Sequence, residues 1–147
     1  MRYLREHEPQ VHYLQRRPMA SVRITEPALR ARLDTGGDIA MDCSEAVTAL
    51  CKWAGLRDPN GLGYNGAGFT GTLLASLPHY TNPAVARIGA LVVYGPGTGE
   101  HVSMVLQPGP DPLLWSHGLE GGPVTVRLSR QRQWHAPPVT FLSIAYL

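Results

Sequence analysis

The whole thiol content of the 147-residue chain is two cysteines, Cys43 and Cys51. Both fall in one predicted helix. Cys43 lies on its first turn, where unpaired backbone N–H groups and the helix dipole favour an anion. Such a position lowers the pKa of a thiol and favours a thiolate nucleophile. Asp42 opposes this effect, so Cys43 requires a cationic partner. Cys51 is two turns later on the apolar stripe and is predicted to be an inert core residue.

These two cysteines are not expected to form a disulfide. In a helix, a spacing of eight residues separates them by about 12 Å along the axis. A disulfide needs Cα atoms within about 7 Å of each other.

Two histidines are placed to act on the thiol. His101 opens a predicted strand directly after a glycine-rich turn, and His117 ends the next predicted strand. Because the chain between them is long enough for an antiparallel return, the two imidazoles are predicted to meet across the ladder. One would accept the thiol proton while the other fixes its tautomer. The other four histidines are predicted to be strand-end or loop residues: His7, His12, His79 and His135.

Two other chemistries compete for this part of the sequence. Cys43, His101 and His117 are residue types that bind zinc, although the chain contains no C-x-x-C or H-x-x-x-H pair.

Residues 61–66 fit G-x-G-x-x-G. A dinucleotide fingerprint, however, follows a strand and opens a helix, whereas a helix and an Asp-Pro-Asn turn precede this stretch. We predict a flexible loop beside the cleft.

The segment Met41-Asp42-Cys43-Ser44, with the helix that follows, resembles the nucleophile helix of the NlpC-type cell-wall cysteine peptidases, a papain-like family. Three more elements follow in that family's order: a strand at residues 88–94, Gly-Glu-His-Val at residues 99–102, and Leu-Trp-Ser-His at residues 114–117. Order and spacing agree over residues 36–147. The resemblance implies a papain-like fold.

The resemblance also implies roles for individual residues. Cys43 is similar to the family's nucleophile, with its own N–H at the oxyanion, His101 to the general base and acid, and His117 to the polar third member. The implied reaction is amide hydrolysis through a thioester on the peptide stem of peptidoglycan, often between D-glutamate and diaminopimelate. It implies no cofactor and no metal. Substrate contacts are expected from Asp42, Ser44, Tyr64 and Trp115.

Four positions depart from the family's pattern. Glu45 replaces a glycine and is expected to bring a charge near the cleft floor. Ala90 replaces an aspartate, Ser103 replaces a glycine, and Leu33 lies near the place of a tyrosine. These departures keep two further hypotheses open: a phage virion structural or assembly protein that retains the fold, and a papain-like acyltransferase or deamidase.

The elements that must position these residues follow from capping and periodicity. Asp42 is a good N-cap, and apolar residues recur on one stripe as far as Gly55, which predicts a helix over residues 43–54. Shorter helices are predicted over residues 25–33, with Thr25 as N-cap, and over residues 72–77. Five strands are predicted over residues 90–94, 102–106, 113–117, 124–128 and 139–146. This order predicts an α+β fold with a five-stranded antiparallel sheet packed against the nucleophile helix.

Length and composition predict one domain. The chain is 44% hydrophobic and 16% charged, enough for a core and too little charge for disorder. We expect a single papain-like domain over residues 1–147, with an N-terminal arm and short helix over 1–33 and a catalytic core over 34–147. The arm is rich in arginine, with seven arginines against three glutamates over residues 1–32. It is predicted to be solvated, with contact to an anionic polymer such as a cell-wall glycan or nucleic acid as the alternative.

Charge and hydropathy restrict the partners and the place of action. A net charge of +2 is too small to indicate nucleic acid, and no apolar run approaches the roughly 18 residues of a membrane span. Residues 1–18 lack the apolar stretch of a signal peptide. We therefore expect a phage protein made in the host cytoplasm. It would act at the bacterial cell wall, either released at lysis or carried in the virion with other virion proteins as partners.

Overall fold

The computed structural model of the protein describes residues 1–119 and 121–145, which form an α+β fold. Among these residues the helices are α1 (Arg2–Glu6), α2 (Glu26–Asp34), α3 (Cys43–Trp53), α4 (Thr70–Ser76) and α5 (Leu128–Gln131). The strands are β1 (Val11–Tyr13), β2 (Ile39–Met41), β3 (His79–Tyr80), β4 (Leu91–Tyr94), β5 (His101–Gln107), β6 (Leu113–Gly118), β7 (Gly121–Arg127) and β8 (Val139–Leu142). None of these helices is long and apolar enough to cross a membrane.

The helices begin where the sequence provides a cap. Thr25 caps α2 by accepting a hydrogen bond from the backbone N–H of Ala28, and Asp42 caps α3 by accepting one from that of Glu45. Gly55, with φ of 73°, follows the end of α3 in the left-handed conformation that stops a helix. The predicted helices over residues 25–33 and 43–54 are confirmed to within a residue at each end, and α4 starts two residues before its predicted start.

In the described part of the chain, six strands form the main sheet in the order β3-β8-β4-β5-β6-β7, and all neighbouring pairs are antiparallel. The sheet therefore has six strands rather than the five predicted. The additional strand, β3, has two residues at the edge, too few for alternation to be recognised in the sequence. The last predicted strand extended to Tyr146, whereas β8 ends at Leu142; Tyr146 lies outside the described residues.

The sheet has a buried core on each face. Val102 and Met104 of β5 belong to the core that also contains residues of α3, such as Val47. Val105 of the same strand belongs to the second core, which also contains Leu128 of α5. Because side chains alternate along a strand, His101 lies on the same side of β5 as Val105. This placement determines which residues can contact the His101 ring.

The first 33 residues pack into the same fold and are not a solvated arm. Strand β1 pairs in parallel with β2, which immediately precedes the helix that carries Cys43. Trp53 Nε1 of α3 donates to the Ile24 carbonyl at 2.9 Å, and Lys52 Nζ donates to the Val22 carbonyl. Six apolar side chains of this segment are at most 4% exposed: Leu4, Val11, Met19, Val22, Leu29 and Leu33.

Candidate active site

Cys43 lies on the first turn of α3, and its residue is 4% exposed. It lines an open cleft of about 620 Å³. The cleft is formed by four short segments of the chain: residues 15–17, 42–44, 67–70 and 99–100. Thr70 Oγ1 donates to the Gly99 carbonyl at 3.1 Å and so ties two of these segments together. The start of the helix therefore lies at the wall of this cleft.

A cation lies beside the helix start, as the neighbouring Asp42 requires. Arg17 Nη1 donates to Asp42 Oδ2 at 2.7 Å, and Arg17 Nη2 donates to Ser44 Oγ at 2.8 Å. The other oxygen of Asp42 accepts from Ser44 Oγ at 2.8 Å and from the Glu45 N–H at 2.7 Å. Asp42 is thus neutralised and fully hydrogen-bonded. Asp42 and Ser44 line the cleft, but their side chains bind each other and Arg17.

His101 directly follows the cleft-lining residues Gly99 and Glu100 and is 4% exposed. Its Nε2 lies 2.8 Å from Ser116 Oγ. Gln131 Nε2 donates to the same hydroxyl at 2.7 Å, and Gln131 Oε1 accepts from Ser103 Oγ at 2.8 Å. The four side chains form a buried polar network on the face of the sheet opposite the core that contains Val47 of α3, at the end of the sheet where β5 begins beside the cleft. The network holds one ring nitrogen of His101 in place.

His117 does not contact His101, contrary to the sequence-based prediction. Its Nε2 donates to the backbone carbonyls of Met41, at 2.9 Å, and His12, at 3.3 Å. Its Nδ1 is buried and has no hydrogen-bond partner among the described residues. His117 therefore fastens β1 and β2 to the main sheet. Through Met41 it also holds the backbone that leads into Asp42 and Cys43.

A β-bulge explains why Ser116 takes the predicted place of His117. Gln107 pairs with Leu113, but Val105 pairs with Leu114, so one residue of β5 is inserted at Leu106. Without this insertion Ser103 would be opposite His117, and His117 would share the face of His101. A shift of one residue moves every following side chain to the other face. Continuing the observed register places Ser116 opposite Ser103.

An aromatic stack covers the ring of His101. His135 lies parallel to it, with ring centroids 4.3 Å apart and an interplanar angle of 5°. Tyr94 contacts both rings, at centroid distances of 5.9 Å and 5.1 Å. We predicted His135 to be an ordinary loop residue. The structure instead brings it against the candidate base, so the plane of the His101 ring is set by stacking as well as by hydrogen bonds.

Two predicted substrate contacts lie away from the cleft. Trp115 is 2% exposed in the core on the α3 side, because its face of β6 is covered by that helix. Tyr64 donates through its hydroxyl to the Leu56 carbonyl at 2.9 Å and lines a different pocket, beside Asp58. The loop that contains Tyr64 does reach the cleft further along the chain, at Ala67, Phe69 and Thr70.

Glu45 also differs from its expected position at the cleft floor. It is completely buried, and its Oε1 accepts from the backbone N–H of Ser21 at 2.7 Å. Its Oε2 has no hydrogen-bond partner within the described ranges. Because Glu45 points into the segment that precedes α2, it ties that segment to α3 and leaves the cleft without its charge.

Cys51 has the environment predicted for a core residue. It is 1% exposed, and burial, with a smaller contribution from Asp58, raises the pKa of its thiol to about 12. Cys51 is therefore a protonated thiol at neutral pH. Among the described residues no group of three His, Cys, Asp or Glu side chains is placed to hold a metal ion.

Sequence reasoning missed three residues of this site: Arg17, Ser116 and Gln131. The need for a cation beside Cys43 was visible in the sequence, but none of the seven arginines in residues 1–32 stands out. Ser116 is adjacent to the predicted His117. It was missed because the register between β5 and β6 shifts by one residue. Gln131 gives no sequence signal, since it belongs to a four-residue helix far along the chain.

Comparisons of the chain with models of known protein families, with curated proteins and with solved structures yielded no match.

Proposed function

We propose that this chain is a papain-like cysteine peptidase or amidase that hydrolyses amide bonds in the peptide stem of bacterial peptidoglycan. One observation carries the proposal. Cys43 begins a helix inside a cleft, and another wall of that cleft continues directly into His101, whose Nε2 is held by Ser116. A thiol at a helix start, combined with an oriented imidazole, is the arrangement of an activated cysteine nucleophile.

The first half of the reaction forms a thioester. Because Nε2 of His101 is bonded to Ser116, we assign proton transfer to Nδ1. Nδ1 takes the proton of the Cys43 thiol, and the thiolate attacks the carbonyl carbon of the substrate amide. The carbon–nitrogen bond then breaks, and the leaving amine takes the proton back from Nδ1.

The second half of the reaction returns the enzyme to its starting state. A water molecule gives a proton to Nδ1 of His101 and attacks the thioester carbon. The carbon–sulfur bond breaks, the acid product leaves, and the sulfur recovers its proton. The net change is the addition of one water to one amide bond.

Two further groups stabilise charge during these steps. We assign stabilisation of the oxyanion to the backbone N–H groups of Cys43 and Ser44, which are on the first turn of α3, where the helix dipole favours negative charge. The hydroxyl of Ser116 accepts from Gln131 and has a second lone pair for the Nε2 proton of charged His101. The network is therefore compatible with an imidazolium.

The choice of substrate is based on the resemblance to the NlpC-type peptidases and on the lining of the cleft. Arg16 and Arg17 offer positive charge, and Phe69, 39% exposed, offers an apolar surface. Peptidoglycan stems carry carboxylates and short aliphatic side chains, which match both. We assign the place of action to the bacterial wall and the origin of the chain to a phage. The phage would use the enzyme either for lysis of the host or for entry into it.

The test compares two cysteine variants on purified peptidoglycan. Cys43→Ala removes the nucleophile and is expected to abolish the loss of turbidity. Cys51→Ala, the matched control, removes a thiol that is protonated and outside the cleft, so clearing should persist. Mass spectrometry of the products should show one added water for each bond broken, which separates hydrolysis from acyl transfer. Unchanged clearing by Cys43→Ala would contradict the mechanism.

A further inference from the structure

We propose that Arg17 selects substrates in which the residue that supplies the scissile carbonyl also carries a free carboxylate. This inference rests on the proposed function and specifies its substrate class. It starts from the hydrogen bonds that the Arg17 guanidinium already makes. Arg17 is on the segment that precedes α2, outside the part of the chain that resembles the peptidase family.

The guanidinium of Arg17 has five N–H donors, and three acceptors use three of them. Nη1 donates to the Arg16 carbonyl at 2.6 Å and to Asp42 Oδ2 at 2.7 Å, and Nη2 donates to Ser44 Oγ at 2.8 Å. The donors that remain are Nε–H and the second hydrogen of Nη2. Nε and Nη2 form one edge of the guanidinium, and such an edge can bind a carboxylate through two parallel hydrogen bonds.

The position of Arg17 places this edge within reach of a substrate. Its side chain is 32% exposed, and the residue lines the cleft together with Cys43. Asp42 cannot compete for a substrate cation, because Arg17, Ser44 and the Glu45 N–H already occupy its oxygens. This wall of the cleft therefore presents a guanidinium rather than a carboxylate.

Other charges on the cleft agree with an anionic ligand on this side. Arg16 lies beside Arg17 on the same segment and adds a second positive charge. Glu100 is an acidic residue on the segment that leads to His101, so a substrate carboxylate is directed towards Arg16 and Arg17. Burial of the carboxylate in the cleft would strengthen the charge-assisted bonds.

The experiment uses two synthetic stem peptides that differ in one group. The first is L-Ala-γ-D-Glu-diaminopimelate-D-Ala, whose D-glutamate carries a free α-carboxylate. The second has that carboxylate converted to the amide. We expect the full chain to cleave the first with a kcat/KM roughly 10- to 100-fold higher, the effect of a bidentate charge-assisted pair.

Three variants test the assignment to Arg17. Arg17→Gln should abolish the preference. This variant also removes the partner of Asp42, which can change both rates, so the measurement is the ratio of the two kcat/KM values. Arg17→Lys keeps the charge beside Asp42 but lacks the parallel donors, so it should lose most of the preference. Arg23→Gln, the same change at an exposed position outside the cleft, should keep it.

The outcomes separate this inference from the proposed function. Preference for the free acid that disappears in Arg17→Gln supports it. Wild-type protein that clears sacculi but cleaves the two peptides equally, or cleaves neither, overturns the inference and leaves the proposed function in place. Failure on sacculi and on both peptides overturns both. A preference that survives in Arg17→Gln assigns the recognition to another residue and overturns the role of Arg17.

Discussion

A general base must exchange protons at one ring nitrogen while the other is held still. In His101 the held atom is Nε2, which is bonded to Ser116, whose hydroxyl is itself fixed by Gln131. Stacking on His135 restrains the plane of the same ring. At the scale of single residues, the proposed catalysis therefore depends on Ser116 as the residue that positions His101, in addition to the two residues that meet the substrate.

Replacing Ser116 by alanine tests whether Ser116 positions the His101 ring for catalysis or only stabilises the fold. Ser116→Ala removes the acceptor for the Nε2 proton of charged His101, so kcat should fall by roughly 10- to 100-fold, the value of a hydrogen bond to a charged group. The rate of Cys43 alkylation by iodoacetamide as a function of pH should change as well, because a less stabilised imidazolium takes the thiol proton less readily. The melting temperature, measured by circular dichroism, should shift by only a few degrees.

His117 provides the comparison for Ser116. His117→Gln keeps a donor near the position of Nε2, able to reach the Met41 carbonyl, but cannot exchange protons as an imidazole does. If His117 only fastens the backbone before Cys43, this variant should retain most of the peptidoglycan-clearing activity. Loss of activity in a folded His117→Gln protein, together with a normal Ser116→Ala protein, would show that the third member is His117.

At the scale of elements, the loop after α3 is organised by one carboxylate. Asp58 accepts hydrogen bonds from the backbone N–H groups of Asn60, Leu62 and Tyr64, at 2.9 to 3.0 Å. Burial alone would raise the pKa of Asp58, but these hydrogen bonds together lower it below its usual value. The folded state therefore stabilises the ionised form of Asp58 more than the unfolded chain does. The resulting stabilisation is present above about pH 4 and is lost as the pH falls through the folded pKa.

Asp58→Asn tests this linkage. The amide keeps one acceptor oxygen and loses the other, so the free energy of unfolding should fall by about 1–3 kcal/mol at pH 7. The difference from wild type should shrink at pH 3, where Asp58 itself is becoming protonated. Urea unfolding at both pH values measures it. Asp38→Asn, the same change at a carboxylate whose side chain is 61% exposed, should cost less than about 0.5 kcal/mol. A difference that stays constant with pH would contradict the assignment.

Elements with local signals could be predicted from the sequence, and the contacts between them only in part. Asp42, Thr25 and Gly55 mark helix ends through interactions within a few residues, so α2 and α3 were predicted closely. The pairing of β5 with β6 depends on the bulge at Leu106, which changes no local pattern but decides whether Ser116 or His117 faces His101. The placement of Cys43 at a helix start and of His101 at a strand start could be predicted from the sequence, while the contact of His101 with Ser116 could not.

At the scale of the whole molecule, the first 33 residues are part of the site as well as part of the fold. Arg17 neutralises Asp42, the backbone of Ser21 satisfies the buried Glu45, and β1 pairs with the strand that leads into Cys43. The arginine content of this segment suggested a solvated arm, because its buried side chains are spread along the sequence without a clear period. Its role depends on long-range contacts that no local pattern indicates.

Removing residues 1–33 should therefore prevent folding rather than expose the cleft. The segment buries Leu4, Val11, Met19, Val22, Leu29 and Leu33. At roughly 1.5–3 kcal/mol for each large apolar side chain, their loss is comparable to the 5–15 kcal/mol that stabilises a typical domain. The full chain should unfold in one cooperative transition, while residues 34–147 alone should lack near-ultraviolet circular dichroism and a thermal transition. Adding residues 1–33 as a separate peptide should restore part of both. A 34–147 fragment that unfolds cooperatively at the melting temperature of the full chain would show that the core folds independently of this segment.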